Sequence, residues 1–254
     1  LGLDKPLYHQ YGIYVGQLLR GDLGKSVRNG IPITKILMER LPATFTLGLF
    51  ALGFAIAFSI PLGVLGAVYR DTPIDWFAKV MAFLGQAMPP FWLGIMLIIL
   101  FAVVWDLVPP AGKTGWTSYI LPGFTLGWGV MAGMVRLVRS SMLDVLDSDY
   151  VTMARAKGVG EIMVVSKHAL RNALIPVITY SSLVLGAFMN GSVVVEQVFA
   201  WPGIGTVAVQ SVVSRDFPIV QGVVIVFGAF FIFINLFVDI LYAVIDPRIK
   251  YTGQ

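Results

Sequence analysis

The sequence contains no cysteine, only two histidines and few charges, and each shortage removes a class of protein. Without thiols there is neither a disulfide framework nor a thiolate metal site. His9 and His168 stand far apart, so no metal centre is expected. Charged residues make up 13% of the 254, against about 25% in ordinary soluble domains. Eighteen basic and 14 acidic side chains cannot solvate the surface of a chain that is 57% hydrophobic, with mean hydropathy +0.82. These numbers exclude a soluble globular domain and specify an integral membrane protein. The net charge of +4 then concerns membrane orientation, not nucleic acid. The chain opens on Leu1 with no charged n-region and no signal-peptide pattern, so a further segment is expected upstream.

Charge-free runs mark the spans. Arg40 to Arg70 encloses 29 uncharged residues, Lys79 to Asp106 26, Lys113 to Arg136 22, Arg171 to Glu196 24 and Asp216 to Asp239 22. A helix needs about 20 apolar residues to cross a hydrocarbon core. Runs this long are too long for barrel strands, and the bilayer offers no water to open backbone groups, so helices are required. The expected spans are 44–69, 80–105, 119–138, 173–190 and 219–243, in an all-α polytopic membrane protein. A further run, 197–214, is broken by Pro202, Gly203 and Gly205. It is expected to form a re-entrant or interfacial hairpin, 193–217, packed against protein.

Basic residues orient the bundle. With the C-terminus inside, the short inner loops hold Arg70, Lys79, Arg136, Arg139, Arg155, Lys157, Lys167, Arg171, Arg248 and Lys250. Only Lys113 and Arg215 fall in the short outer ones, which the positive-inside rule favours. The six basic residues within 1–42 then lie outside, as they can if an upstream span has already set the topology. That gives five spans here and six in the intact chain.

Gly123, Gly127, Gly129 and Gly133 follow small-xxx-small spacing, which permits close helix approach. Pro61, Pro89, Pro90, Pro122 and Pro176 sit where they bend or end helices. Tight packing explains these residues, and so does a passage lined by bent helices.

The longest inner loop, 140–172, is the most informative stretch. Asp144, Asp147 and Asp149 precede Ala154, Ala156, Lys157 and Gly158, which predicts a helix, a glycine break and a second amphipathic helix ending near Arg171. Ile162, Val165, Ala169 and Leu170 give that second helix its apolar face. Such an element is either a solvated connector or a docking knob for a soluble partner.

DYVTMARAKGV (149–159) followed by KHALRNALIPVIT (167–179) resembles the membrane permease subunit of bacterial ABC importers, in the dipeptide/oligopeptide/nickel branch. Ala154, Ala156 and Gly158 match the family's EAA loop. Thr152 stands where the general motif has glutamate, and Leu170-Arg171 replaces its Leu-Pro ending, both as in this branch. LGLDKPLYHQY at the start, GDLGKS at 21–26, RLPAT at 40–44, VVVEQVFAWPGIG at 193–205, RDFP at 215–218 and NLFVDILYAVIDPRIKY at 235–251 agree in order. The resemblance implies the ABC importer permease fold in the bacterial inner membrane, with a domain over 43–251. Segment 1–42 would be extracytoplasmic, after a missing first helix. It implies that loop 149–171, with Asp149, Tyr150, Ala154, Arg155, Ala156, Lys157, Gly158, His168, Arg171 and Asn172, couples to ATPase subunits. The hairpin, with Glu196, Trp201, Pro202 and Gly203, would face an external solute-binding protein. Partners would be a homologous second permease, two ATP-binding cassette ATPase subunits and that binding protein. ATP and magnesium would bind the ATPases, with no cofactor in this chain.

Other motifs fail. Gly24-Lys25-Ser26 mimics the end of a phosphate-binding loop, but Leu19 stands where its first glycine belongs. PGIGTVA at 202–208 lacks a βαβ setting. No serine has a partner histidine and no carboxylate pair lies within a span, so no catalysis is expected. Proton- or ion-coupled carriers place ionisable groups at the midplane. Here only Asp239 falls within a span, near its inner end, and Glu196 lies at an outer one. A secondary transporter is the alternative of another class; nickel, metal-chelate and glutathione are the alternative cargoes. No substrate-contacting residue is identified beyond the glycine- and methionine-bearing faces of 80–105 and 119–138.

Overall fold

Proline stands at the start of several helices, where its missing N–H leaves no helical bond unmade. The computed structural model describes residues 6–245, and side chains at 189–191, 238, 239 and 241–245 lie outside that description, Asp239 among them. A short helix α1 (Leu7–Leu19) leads, through a turn region held by a Lys25–Pro32 bridge, into the long α2 (Ile33–Val68). There follow α3 (Pro73–Ala87), α4 (Pro90–Leu97) with a π-helical continuation Ile98–Val104, and α5 (Ile120–Leu146). The connector holds α6 (Asp149–Ala156), α7 (Glu161–Met163), a π turn Val164–Ala169 and α8 (Leu170–Ala173). The chain closes with α9 (Ile175–Val198), α10 (Ile204–Val213) and α11 (Phe217–Ile245).

Among the described residues, three helices are long and apolar enough to cross a membrane, and two bent pairs bring the number to five. The span expected at 80–105 is not one rod. It is α3 plus α4 with its π extension, bent by 105° at Met88–Pro89. Consecutive prolines at 89 and 90 withhold two N–H groups, and the ladder cannot pass them. The other spans are longer than the uncharged runs suggest. α2 starts 11 residues before position 44, α5 runs to Leu146, and α9 reaches Val198, absorbing the first residues of the expected hairpin. Pro61 lies inside a continuous α2 and does not end it. α10, with 10 residues, is too short to cross and completes the hairpin turn.

α2 and α5 form the spine. At Gly127 a Cβ would lie 2.6 Å from the Ala51 carbonyl oxygen, so only glycine allows this approach, as the small-residue spacing predicts. Ala55, Ala78, Ala82, Met131, Met134 and Val135 seal α3 onto this spine.

The turn between α10 and α11 is pinned to the segment preceding α2. Ser26 Oγ–H and the Val27 and Arg28 N–H groups all donate to the Asp216 carboxylate. Burial pushes this carboxyl up, and the donors outweigh it, holding it below its ordinary value. Because the folded-state pKa is the lower one, the stabilisation is fully present above the unfolded value of about 4 and is lost as pH falls towards the folded value. Thermal unfolding of wild type and Asp216→Asn should therefore differ by the same margin from pH 8 to 6, with the gap closing below about pH 4. A gap unchanged at acid pH would show that the charge contributes nothing.

Candidate functional site

Helix α6 follows Ser148 in extended backbone and carries Asp149 in its first turn, facing the helix's partial positive end. It stops after two turns. Val159 N–H bonds the Ala154 carbonyl at 3.2 Å and Gly158 N–H bonds that of Arg155 at 2.9 Å. This is the Schellman pattern, with Gly158 at φ +79°. A residue with a Cβ would cost about 1–2 kcal/mol there.

Across the glycine break, Arg155 clamps Glu161 through two bonds, Nε to Oε2 at 3.1 Å and an Nη to Oε1 at 2.7 Å. The guanidinium holds the Glu161 carboxyl below its ordinary value. The pair is exposed and adds little stability, but its planar fork sets the angle between α6 and α7. Tyr150 closes the other side: its hydroxyl donates to the His168 carbonyl at 3.2 Å and accepts from Asn172 Nδ2 at 2.8 Å. The structure thus brings Tyr150, Arg155, Gly158, His168 and Asn172 into one rigid element. Ala154 is half-buried beneath it, while Ala156, Lys157 and Arg171 are exposed.

The element is rooted in the bundle. Val151, Val164 and Ala169 are fully buried with Ala67 of α2 and Val138 and Met142 of α5. Each valine contributes about 1.5–3 kcal/mol of burial. One expectation fails here. Ile162, placed on the apolar face, is 87% exposed, and Val164 is buried instead. The π turn over Val164–Ala169 changes the period, so a face counted at 3.6 residues per turn drifts off the core. Tyr150, Met153, Ile162 and Met163 are all exposed on this connector, which also carries the exposed Arg155, Lys157, Lys167 and Arg171. Large apolar and basic side chains exposed together on one connector are the composition of a docking surface. Sequence reasoning missed Met153, Glu161 and Met163.

At the opposite end, most of the hairpin residues are buried within the chain itself. Glu196 and Trp201 are 0% exposed, Gly203 is buried and Pro202 half-buried. Glu196 Oε1 accepts from Thr44 Oγ1 at 2.7 Å and from Ser192 Oγ at 3.2 Å, and Oε2 from the Thr206 N–H at 3.1 Å. Thr44 Oγ1 also accepts the Ile204 N–H at 2.9 Å. Side chains of α9 and α2 thus satisfy the open first turn of α10, and the carboxylate sits at its positive end. Trp201 Nε1 donates to the Ala43 carbonyl at 2.9 Å. The loop before α5 covers this indole, with Lys113 Nζ 5.9 Å from its ring and the Gly112 N–H bonded to the Phe199 carbonyl. These residues latch the hairpin to α2.

A further buried carboxylate, Asp75, lay outside the sequence reading. It is 0% exposed at the start of α3. Arg139 of α5 grips it side-on at 2.6 and 2.9 Å, Lys79 Nζ lies 2.9 Å away, and the Asp71 N–H donates at 3.1 Å. All three buried acids among the described residues, Asp75, Glu196 and Asp216, have hydrogen-bond partners.

Comparison with known proteins agrees with this architecture. Residues 59–251 match the family described as binding-protein-dependent transport system inner membrane component. The glutathione transport system permease protein GsiC of Pectobacterium atrosepticum is 45% identical over 251 residues, covering 99% of this chain and 82% of the relative. Its counterpart in Escherichia coli K12 is 44% identical over the same coverage. Among solved structures, the inward-facing MetNI methionine ABC transporter superposes with TM-score 0.69 at 18% identity, over 83% of this chain and 96% of that one. An amino acid ABC transporter crystallised with histidines gives 0.62 at 15% identity, over 82% and 93%. At these identities the structural likeness concerns the fold alone.

Proposed function

The chain belongs to the binding-protein-dependent transport system inner membrane component family, as a multi-pass permease of an ABC importer, and we propose that it carries di- or oligopeptides or a peptide-like solute such as glutathione. The cargo class is supported by the GsiC relatives, which are permeases of glutathione transport systems. The observation that carries the coupling role is the rigid, exposed α5–α9 connector, rooted by Val151 and Val164 between α2 and α5. In this reading the connector is cytoplasmic, as is the C-terminus, and it seats in a cleft of an ATPase subunit. A homologous second permease, a second ATPase subunit and an external binding protein complete the complex. The ATPases bind ATP with magnesium and hydrolyse the ATP. Closure of the ATPase pair displaces the connector as a body, and the displacement passes to α5 and α9, a two-state switch of rigid elements.

Gly158→Pro tests this, because proline cannot adopt φ +79° and has no N–H for the Arg155 carbonyl. In liposomes holding the full complex, ATP-dependent glutathione or tripeptide uptake should fall at least about ten-fold, a coupling loss of about 1.4 kcal/mol, while the chain remains in the membrane. Joint charge reversal at Arg155 and Lys157 should do the same. Normal uptake by both variants would remove the coupling role.

A further inference from the structure

A groove of about 700 Å³ runs beside the start of α2, between the 26–32 turn and α10. Arg28 of the turn and Lys35 and Arg40 of α2 line it, and its acids are Glu39 and Asp216. Among the described residues none of the three cations stands in an ion pair. Asp216 is already taken up: it accepts from Ser26 Oγ–H and from the Val27 and Arg28 N–H groups, and these bonds fix the wall that carries Arg28. Three cations against two carboxylates leave one positive charge in excess. The groove also lies where the chain enters the membrane. Arg40 is the last charge before 29 uncharged residues, and Asp216 the last before 22. Beside them α10, too short to cross, is two-faced. Gln210 and Ser214, one turn apart, line the groove, while the exposed Val212 and Val213 line a separate, wholly apolar groove against α11. A short helix with one polar and one exposed apolar face belongs at headgroup depth.

We propose that this groove holds the headgroup of an anionic phospholipid of the phosphatidylglycerol type. One phosphodiester brings one negative charge, which cancels the excess in the groove. The guanidinium groups of Arg28 and Arg40 present paired N–H donors suited to its oxygens, and Lys35 adds a point charge. The glycerol hydroxyls both donate and accept, and so do the side chains of Asn29, Gln210 and Ser214 in the lining. A choline or ethanolamine headgroup carries its own ammonium, which would meet three cations here. The site stands on the chain's place in a membrane, and neither its cargo nor its coupling enters the argument.

The test reconstitutes the purified transport complex in phosphatidylcholine vesicles that contain a phosphatidylglycerol with a photoreactive headgroup, at a mole fraction too low to fill the site. Cross-links are mapped by peptide mass spectrometry and are expected within residues 28–40 and 210–214. Each cation beside a lipid phosphate is worth about five-fold in affinity, so Arg40→Gln should cut this labelling about five-fold and Lys35→Gln with Arg40→Gln about 25-fold. Arg20→Gln removes the same charge from an exposed position outside the groove and should leave labelling unchanged. Lys35 and Arg40 are exposed, so their variants should unfold at the wild-type temperature, which separates lost binding from lost folding. No labelling of these peptides in wild type, undiminished labelling in the double variant, or equal labelling by photoreactive phosphatidylcholine would overturn the site. Labelling abolished by free glycerophosphoglycerol would show a pocket for a soluble phosphodiester and would remove the lipid as its occupant.

Discussion

Replacing Asp75 by alanine is expected to destabilise the chain by about 3–5 kcal/mol, the loss typical when one member of a buried ion pair is removed. The carboxylate is fully buried and receives Arg139, Lys79 and the Asp71 N–H. Without it, a guanidinium only 20% exposed stands in the α3–α5 interface with no counter-charge. The expected drop in unfolding temperature is on the order of 10 °C, measured in detergent on the purified complex. Asp75→Leu with Arg139→Met should recover most of it, because a matched apolar pair leaves no buried charge. If the single variant unfolds like wild type, the clamp does not hold the helices together. The clamp also has a mechanical consequence. Arg139 lies on α5 just before the connector, and Asp75 begins α3, the first half of the broken span. Movement of α5 at that end is therefore passed to α3 and on towards the break at Met88–Pro89.

The second large effect is expected at Gly203. A Cβ there would fall onto the Glu196 carboxylate, contacting its Cδ and both oxygens. The carboxylate cannot step aside, because Thr44, Ser192 and the Thr206 N–H hold it. Gly203→Ala should thus expel a buried charge from its donors and leave the first turn of α10 open, a loss of about 3–5 kcal/mol. Glu196→Gln preserves the shape and sacrifices one acceptor, and should cost about 1–3 kcal/mol. In the Gly203→Ala, Glu196→Ala pair the clash is gone, so the double variant should be less destabilised than the two single losses added together. Additive losses in that thermal-unfolding cycle would show that the two residues do not act on each other.

Much of this protein was written along the chain. Long uncharged runs dictate helices, since a bilayer satisfies no open backbone, and the five runs became α2, α5, α9, α11 and the bent pair of α3 with α4. The helix–glycine–helix connector was equally legible, because Gly158 at the end of a short helix is a local matter of φ and two hydrogen bonds. So were the close approaches along α5, which need only small residues at the right period. Boundaries were less so: charge marks where a helix leaves the bilayer, not where it stops, and α2, α5 and α9 all continue past that point. The two prolines at 89 and 90 announced a bend, but not that the bend would open a cavity against Trp128 and Tyr180. The burial of Glu196 was not legible at all. Read along the chain it is a charge at a helix end, free to reach water. Its donors come from Thr44, 152 positions earlier, and from the turn of a helix that folds back over it. Asp75 and Arg139, 64 positions apart, follow the same rule. Local periodicity and solvation decide which segments become helices. Which charges are buried is decided only when distant elements bring their donors together, because a buried carboxylate is stable only where the folded chain replaces the water it has lost.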